Sequence, residues 1–429
     1  MKLSDRVAKA TSILAVTKQM GVYPYFRPIA KSWGSEVEIG GKRLIMIGSN
    51  DYLGLSHEPE VMEASAKAVT AWGTGPGGSR FLSGNMTIHL ELEERLAAFV
   101  GKKKAVLHVT GFSTNLGALG TLLASTDMAL FDRESHASII EGVRVTKARM
   151  ATFAHNDVAS AGRKIASHLK TEGAGVFLVT EGIFSMSGDI APMDKLAALK
   201  DAHPGISIYL DDAHGLGVLG QGGRGSANHF GVTSKVDYIM GTFSKAFASI
   251  GGFLASDDGD VIEYVRHQSR TQIFSAALPA GNTAAVLASL SIVERDPGRI
   301  ERLRKIIARM RQGYREIGLA VTESVSPIIP IHIGSDEKAF LFSQELMEEG
   351  IFALPAIYPA VPRGGALIRT AFMSTHTPAQ LDRVLEVLDK MARKHRIRVA
   401  DMAEDQARAK ADGEEAYQAQ TAKQRQSFL

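Results

Sequence analysis

Short apolar runs alternate with helix-like patterns through the middle of this 429-residue chain. The clearest strand-like runs cover residues 104–108, 128–131, 176–180, 206–210 and 238–241, and each ends in polar or glycine-rich residues. This alternation predicts an α/β fold with a mostly parallel central sheet. Because ligands bind such sheets beyond the carboxyl ends of the strands, the residues at those ends are the first candidates for a functional site.

The pattern divides the chain into four regions. Residues 1–49 are predicted to form a helix and an arm, with a hairpin that turns at Gly40 and Gly41. The strand-rich part predicts a large domain over residues 50–285. Long helices and two later strand-like runs predict a smaller α+β domain over residues 286–395. The polar residues 396–429 are predicted to form a helical or disordered tail.

Composition removes several classes of protein. The net charge of +3 is too small to indicate nucleic-acid binding, and the arginines of the basic stretch 299–311 alternate with an apolar helical stripe, which predicts a solvated face. The absence of cysteine excludes disulfides, thiolate metal sites and a cysteine nucleophile, and it fits a cytoplasmic protein. We expect no signal peptide and no membrane span, while peripheral contact with a membrane stays open.

Lys245 follows a strand-like run in the sequence Gly241-Thr242-Phe243-Ser244-Lys245. A lone lysine in this position is usually a surface residue. Here the neighbouring threonine and serine offer hydroxyl groups to a phosphate, and a buried lysine can form a Schiff base and later act as an acid or base. This combination predicts that Lys245 carries pyridoxal 5′-phosphate (PLP).

Asp211 and His214 stand at the end of another apolar run, in Asp211-Asp212-Ala213-His214. A helix cap and a metal ligand are the alternatives, although two acids and one histidine make a poor metal set. In a PLP site an aspartate keeps the pyridine nitrogen protonated, so that the ring can accept electrons. His214 is then expected against the cofactor's O3′ or its carboxylate side, and we predict no metal.

Gly111 and Phe112 open a helix directly after a strand-like run. Free N–H groups at such a helix start bind phosphate through their own polarity and the helix dipole. Turns of this kind also occur as plain connectors, so the motif is weak alone. Together with Thr242 and Ser244 it predicts a phosphate site.

Two further residues keep two interpretations each. His136, after the run 128–131, either caps the next helix or stacks on the face of a pyridine ring. Arg369, in a strand-like run of the small domain, either forms a structural ion pair or binds a substrate carboxylate with its planar guanidinium.

The ordered set of motifs resembles the α-oxoamine synthases, which are fold-type I PLP enzymes. The motifs are residues 50–54, the glycine-rich 73–81, His136, 211–214 and 241–245, and the resemblance covers about residues 20–392. It implies that Lys245 is the Schiff-base lysine, and that His136 is the stacking ring. The departures from the family pattern are Pro76 and Asn85.

The resemblance assigns the remaining roles. Asp211 and His214 join Lys245 and His136 as catalytic residues, and Gly111, Phe112, Thr242 and Ser244 bind phosphate. Ser185 is expected to contact the cofactor, and Ser275 to contact the cofactor phosphate of a partner subunit. An obligate homodimer with shared active sites follows from this. Substrate binding is expected from Arg369, Asn50 and Ser79.

The family condenses an amino acid with an acyl thioester and releases carbon dioxide. Residues 21–29, 182–190 and 359–362 are similar to the bacterial members that begin sphingolipid synthesis. The resemblance therefore implies L-serine and a long-chain acyl thioester, palmitoyl-CoA or acyl carrier protein, as substrates and 3-ketodihydrosphingosine as product.

Other functions stay open. Glycine C-acetyltransferase, 8-amino-7-oxononanoate synthase and 5-aminolevulinate synthase share the same catalytic core. A PLP aminotransferase would share Lys245, Asp211 and the phosphate site but would need no acyl thioester. A non-catalytic partner subunit is a further alternative, although such subunits typically lack the Schiff-base lysine that this chain has.

Overall fold

The computed structural model describes residues 2–171 and 175–404; the tail predicted from residue 396 lies mostly outside the described residues. Its helices are α1 (Leu3–Gln19), α2 (Pro59–Trp72), α3 (Thr87–Val100), α4 (Gly111–Leu122), α5 (Ala137–Arg144), α6 (Val158–His168), α7 (Met193–Ala202), α8 (Ser226–His229), α9 (Gly259–Gln268), α10 (Arg270–Ile273), α11 (Ala280–Arg295), α12 (Pro297–Glu316), α13 (Asp336–Glu348) and α14 (Pro378–His395).

The strands are β1 (Lys31–Ser32), β2 (Glu36–Ile39), β3 (Lys42–Met46), β4 (Lys104–His108), β5 (Met128–Asp132), β6 (Arg149–Phe153), β7 (Val176–Glu181), β8 (Ile206–Asp211), β9 (Tyr238–Thr242), β10 (Gly252–Ser256), β11 (Ile328–Gly334), β12 (Ile351–Phe352), β13 (Leu354–Ala356) and β14 (Ala366–Ala371). All five strand-like runs of the large domain are strands in the structure. None of the described helices combines the length and apolar character needed to cross a bilayer.

The central sheet has seven strands in the order β4-β10-β9-β8-β7-β5-β6. The pairs from β6 through β9 are parallel, whereas β10 runs antiparallel to both β9 and β4. The mostly parallel sheet predicted from the sequence is therefore confirmed. The strands β6 and β10 were not predicted, because β6 is largely exposed and β10 is a five-residue run that follows two glycines.

Three parallel strands of this sheet each end on a buried acid. Strands β5, β7 and β8 are apolar along both faces, because helices cover the sheet on both sides. Their last residues are Asp132, Glu181 and Asp211. Since the strands run in one direction, the three carboxyl groups reach the same edge of the sheet.

The arm and the C-terminal part of the chain form two smaller sheets, β1-β2-β3-β12 and β11-β14-β13. The predicted hairpin is confirmed as β2–β3, and Gly40 and Gly41 take the left-handed φ values of 59° and 75° that favour glycine. Strand β3 pairs in parallel with β12, so the arm packs with the C-terminal part. The domain boundaries given above stay a prediction.

One residue corrects the expectation for the basic stretch. Three arginines of α12 are exposed, Arg302, Arg304 and Arg315. Arg311 is buried and donates hydrogen bonds to the carbonyl oxygens of Thr322, Ser326 and Ile328. The prediction of a solvated face is wrong at this position, because the guanidinium satisfies main-chain carbonyls of the segment that leads into β11.

Candidate active site

A cavity of about 340 Å³ opens at the carboxyl edge of the central sheet. Eight residues predicted from the sequence line it: Gly111, Phe112, His136, Asp211, His214, Thr242, Ser244 and Lys245. Its volume lies within the range of small-molecule sites. We call it the cofactor cavity.

Lys245 lies in the connection between β9 and β10 and lines the cofactor cavity. Burial lowers the pKa of Lys245, although the charges of Asp211 and Glu181 oppose this change. A lowered pKa increases the fraction of neutral amine, which is the form that attacks a carbonyl carbon.

Asp211 is fixed in the cavity by two donors. Asn115 Nδ2 lies 2.7 Å from Asp211 Oδ2, and the amide of Ala213 donates to Oδ1. The next residue, Asp212, faces away and accepts hydrogen bonds from the amide and hydroxyl of Ser226. Burial raises the pKa of Asp212 to about 6, despite these hydrogen bonds. The structure therefore assigns different environments to two adjacent aspartates.

Glu181 lines the same cavity and was missed by the sequence analysis. Its Oε1 accepts the backbone N–H of His136 at 2.6 Å. Burial raises its pKa well above the usual value, and the charge of Asp211 on the neighbouring strand adds to the effect. Its position at the end of β7, matching Asp211 at the end of β8, was the available signal.

His136 confirms the capping interpretation, and its position in the cavity lining leaves the stacking interpretation a prediction. Its side chain caps α5, with Nδ1 2.8 Å from Ser138 Oγ, and its ring also lines the cofactor cavity. The ring of Phe112 lies 6.4 Å away, centroid to centroid. Burial lowers the pKa of His136, an effect that Asp211 opposes and Lys245 supports.

His214 is connected to Arg369 through a chain of hydrogen bonds. The hydroxyl of Tyr52 lies 2.6 Å from His214 Nδ1 and 3.2 Å from Asn50 Oδ1, and Arg369 Nη2 donates to the same Asn50 oxygen at 2.9 Å. Burial, followed by the charges of Lys245 and Arg369, lowers the pKa of His214 well below its usual value. Tyr52 is a second residue to which the sequence analysis gave no role.

The opposite part of the cavity is suited to a phosphate. Thr110 caps α4 by accepting the amide of Ser113, and the N–H groups of the first helical turn have no partner within a helix. The hydroxyls of Thr242 and Ser244 lie 3.0 Å apart. A Cβ at Gly111 would stand 2.8 Å from Thr242 Oγ1, so this close approach requires glycine. A lysine, a fixed carboxylate and a phosphate-binding helix start therefore fit PLP.

Arg369 is held by neutral oxygens. Its Nε donates to the carbonyl of Ser185 at 2.7 Å, in addition to the bond to Asn50. Neither partner is a carboxylate, so these hydrogen bonds leave the positive charge of the guanidinium available to an anion. Ser185, predicted as a cofactor contact, touches Arg369 through its carbonyl and is not among the residues that line the cofactor cavity.

Ser79 and Ser275 also lie outside the lining of this protomer's cavity. Their segments are joined by a hydrogen bond from the Ala277 amide to the Gly78 carbonyl. Ser79 is buried, and its hydroxyl has no hydrogen-bond partner. The contact of Ser275 with a partner's cofactor stays a prediction.

A second cavity, of about 640 Å³, is mainly apolar. Its wall is formed by residues 352–360, together with Tyr25 of the arm, Met46 and Met186, and Arg369 also lines it. The hydroxyl of Tyr25 donates to the carbonyl of Pro355, which ties the arm to this wall. We call this cavity the apolar groove. Arg369 thus belongs both to the groove and to the chain of hydrogen bonds that reaches His214.

Comparisons with known proteins agree with this geometry. The family model of aminotransferase class I and II matches residues 42–388. A serine palmitoyltransferase from Sphingobacterium spiritivorum is 43% identical over 392 residues, which are 91% of this chain and 96% of the relative. 8-Amino-7-oxononanoate synthase 1 of Bacillus velezensis is 37% identical over 88% of this chain and 95% of its own.

A solved structure is similar over almost its full length. It is a lysine-to-alanine variant of the serine palmitoyltransferase from S. paucimobilis with a bound PLP–myriocin aldimine. The TM-score is 0.89 at 30% identity, over 92% of this chain and 99% of that one.

The chain belongs to the α-oxoamine synthases, within the aminotransferase class I and II family of fold-type I PLP enzymes. It is a PLP-dependent acyltransferase that resembles serine palmitoyltransferase. The resemblance to 8-amino-7-oxononanoate synthases leaves the particular substrates to be proposed.

Proposed function

We propose that the protein condenses L-serine with a long-chain acyl thioester to form 3-ketodihydrosphingosine, the first step of sphingolipid synthesis. The observation that carries this proposal is the position of Arg369. Its guanidinium lines the apolar groove and is hydrogen-bonded to Asn50, whose oxygen lies beside the Tyr52 hydroxyl that contacts His214. The cationic Arg369 therefore stands between the cofactor cavity and an apolar groove that suits an acyl chain.

The residues of the cofactor cavity supply the binding and the proton transfers. PLP bound here acts as an electron sink for the α-carbon of the amino acid. Lys245 would hold PLP, and its released amine would take the α-proton of the amino acid. Asp211 would keep a proton on the ring nitrogen, and the amides at the start of α4 with Thr242 and Ser244 would hold the phosphate. His136 would stack on the ring, and His214 would contact O3′.

The condensation forms one carbon–carbon bond, and it breaks the carbon–sulfur bond of the thioester and the bond between the α-carbon and the carboxyl group. The α-carbon of serine attacks the carbonyl carbon of the thioester, and the thiol leaves. The carboxyl group is then lost as carbon dioxide, and the α-carbon regains a proton, for which Lys245 is the donor. Arg369 binds the serine carboxylate through its planar donors until that loss. Asn50 fixes the guanidinium, and Ser79 is assigned to the substrate side of the site.

The acyl chain of the thioester is assigned to the apolar groove. Met46, Met186 and residues 352–360 offer a mostly apolar wall, so burying a chain of many methylenes is favourable by roughly 0.8 kcal/mol for each CH₂. Comparing CoA thioesters with acyl carrier protein thioesters identifies the thiol.

We propose a homodimer with shared active sites as the working form. Phe81 and Leu82, in the glycine-rich segment, and Phe274, next to Ser275, are large exposed apolar side chains. The bond between Gly78 and Ala277 places these two segments together. A surface of this kind favours a protein partner. In this arrangement Ser275 contacts the phosphate of the partner's cofactor, and sedimentation velocity tests the dimer directly.

The proposed setting is the cytoplasm, with peripheral contact to a membrane that receives the lipid product. The absence of cysteine is compatible with a reducing compartment. Cell fractionation tests this placement, because an exclusively extracytoplasmic enzyme would contradict it.

The deciding experiment is a titration of the PLP-loaded enzyme. L-Serine, glycine and L-alanine are added separately while the visible absorbance of the cofactor is followed, and acyl thioesters of increasing length are then supplied as CoA and carrier-protein forms. We expect serine with a long chain to give the highest kcat/KM. A preference for glycine with a short thioester would replace the sphingolipid function by that of a glycine C-acetyltransferase. Transamination without any thioester would indicate an aminotransferase.

A second candidate follows from the relatives. The 8-amino-7-oxononanoate synthase of Bacillus velezensis matches 88% of this chain. In the same titration, L-alanine together with a pimeloyl thioester is the substrate pair that distinguishes this activity from the proposed one.

A further inference from the structure

His155 lies beside the active site, between three carboxylates that come from two connections of the sheet, the one after β5 and the one after β7. It follows β6, and its Nδ1 lies 3.0 Å from Asp132 Oδ1. Its Nε2 lies 3.3 Å from Asp189 Oδ2 and 3.8 Å from Glu134 Oε2. The ring also packs edge-to-face on Phe184 with the centroids 4.5 Å apart.

The surroundings of His155 favour the charged ring. Burial opposes the charge, but hydrogen bonds to Asp132 and Asp189 and the further charge of Glu134 raise the pKa of His155 to about 10. Asp132 is fully buried, so an uncharged ring would leave its carboxylate without a compensating cation. Both ring nitrogens then donate, one toward β5 and one toward the connection after β7.

The first of these carboxylates organises the turn that carries His136. Asp132 Oδ1 accepts the amide of Glu134 at 2.8 Å, and the Asp132 carbonyl accepts the amide of Ser135 at 3.0 Å. His136 follows at once, with its own amide bound to Glu181. The position of the His136 ring over the cofactor cavity therefore depends on where Asp132 is held.

The second carboxylate belongs to the segment that holds Arg369, and it is paired with the His155 ring. The Phe184 amide donates to the Asp189 carbonyl, which closes residues 184–189 into a compact loop. Within that loop the carbonyl of Ser185 accepts Arg369 Nε. His155 thus contacts one connection that ends in His136 and another that fixes Arg369.

We propose that His155 is a positioning residue that sets the placement of Arg369 and His136 relative to each other and so tunes the affinity for the amino-acid carboxylate. The proposal rests on the proposed function only in that an amino acid is the ligand of Arg369. His155 itself touches neither substrate nor cofactor. A purely structural role would lower stability without changing amino-acid affinity.

Two variants test this in the PLP-loaded full-length enzyme. Asp189→Asn weakens the link to the Ser185 loop, because a neutral acceptor replaces a charged one, while Asp132 keeps its cation. His155→Gln removes the charge of the ring. The control for Asp189→Asn is Asp201→Asn, an exposed acid of α7. The control for His155→Gln is His203→Gln, which precedes β8 at the amino end of that strand, away from the site. The measurements are the apparent Kd of L-serine from cofactor absorbance, the absorbance without amino acid, and the melting temperature.

We expect both site variants to retain the cofactor absorbance and to raise the apparent Kd for serine, His155→Gln by about tenfold and Asp189→Asn by less. The controls should stay within twofold of the unmodified enzyme. A lowered melting temperature with unchanged Kd in Asp189→Asn would overturn the proposal. If His155→Gln does not fold, Asp189→Asn decides the question alone.

A double-mutant cycle separates an action through Arg369 from a general effect. In an Arg369→Gln background, Asp189→Asn should change the Kd by less than twofold, because the group through which it acts is already gone. Equal effects in both backgrounds would contradict the mechanism. If the unmodified enzyme binds glycine or alanine but not serine, the serine assignment fails, while the same cycle run with the bound amino acid still tests His155.

Discussion

The cofactor cavity and the apolar groove are built in different ways. The cavity is lined by polar side chains, many of them at the ends of parallel strands, and hydrogen bonds fix them: Asn115 donates to Asp211, and Glu181 accepts the backbone amide of His136. The groove is formed largely by the course of one segment, residues 352–360, with few polar groups. A buried polar group must be paired to be tolerated, whereas an apolar wall needs only shape. The cavity should therefore be intolerant of conservative changes that the groove accepts with a change in selectivity.

The largest effect is expected from Lys245→Ala. Loss of the Schiff-base amine should remove the characteristic cofactor absorbance and lower turnover by at least about 10²–10⁴-fold, the usual contribution of a positioned acid–base group. Absorbance spectra and steady-state rates measure both, with the exposed Lys103→Ala as the control. Retained turnover would contradict the assignment of the cavity.

The adjacent aspartates provide the sharpest matched pair within the cavity. Asp211→Asn should lower kcat by roughly 10²-fold or more, because an amide does not stabilise a proton on the ring nitrogen. Asp212→Asn, whose side chain faces Ser226, should keep most of the activity and lose stability instead. Comparable kcat values for the two variants would show that the carboxylate environment of the cavity had been assigned wrongly.

A substitution in the apolar groove should change the selectivity for acyl-chain length. Ala356 lines it and is buried, so Ala356→Leu narrows the space for an acyl chain. We expect kcat/KM for long thioesters to fall about tenfold relative to short ones, in the range that single methylenes produce in apolar pockets. The amino-acid Kd should not change. Ala166→Phe, on the exposed face of α6, is the control, and an unchanged chain-length profile would remove the groove from the acyl site.

The smallest effect is expected in the pH dependence of stability, through His376, which supports the groove. Burial lowers the pKa of His376 to about 4, although hydrogen bonds to Met46 and Met373 oppose the change. Because the folded pKa is below the unfolded value, the stabilising contribution is complete above about pH 6.5 and is lost as the pH falls toward 4.

The expected loss is at most about 1.4 kcal/mol per pH unit. His376→Gln should flatten this part of the stability curve when urea denaturation is measured at pH 7 and pH 5. His376 Nε2 donates to the carbonyl of Met46, which lines the groove. At pH 5 the preference for acyl-chain length should therefore change, whereas the cofactor absorbance should change less. An identical slope in the variant would assign the pH dependence to other groups.

Much of the cavity was accessible to sequence reasoning for a physical reason. Strands buried on both faces are continuous apolar runs, and the polar residues that end them stand out, as Asp211 and Lys245 do. The same rule points to Glu181, which was overlooked because its run was considered complete at Thr180. Strand β10 was missed because a short run after glycines resembles a connection.

The sequence by itself determined the main strands of the central sheet and the family, and it predicted Lys245 as the PLP lysine, because these depend on local apolar runs and on motifs a few residues long. The tertiary structure decided which of two aspartates faces the cavity, that His136 both caps α5 and lines the site, and that Arg369 bonds Asn50 and Ser185. It also determined the course of the segment that forms the apolar groove, and it placed His155 between three carboxylates. These features join residues that are distant in the chain, and such contacts depend on how the elements pack and leave no periodic pattern to detect.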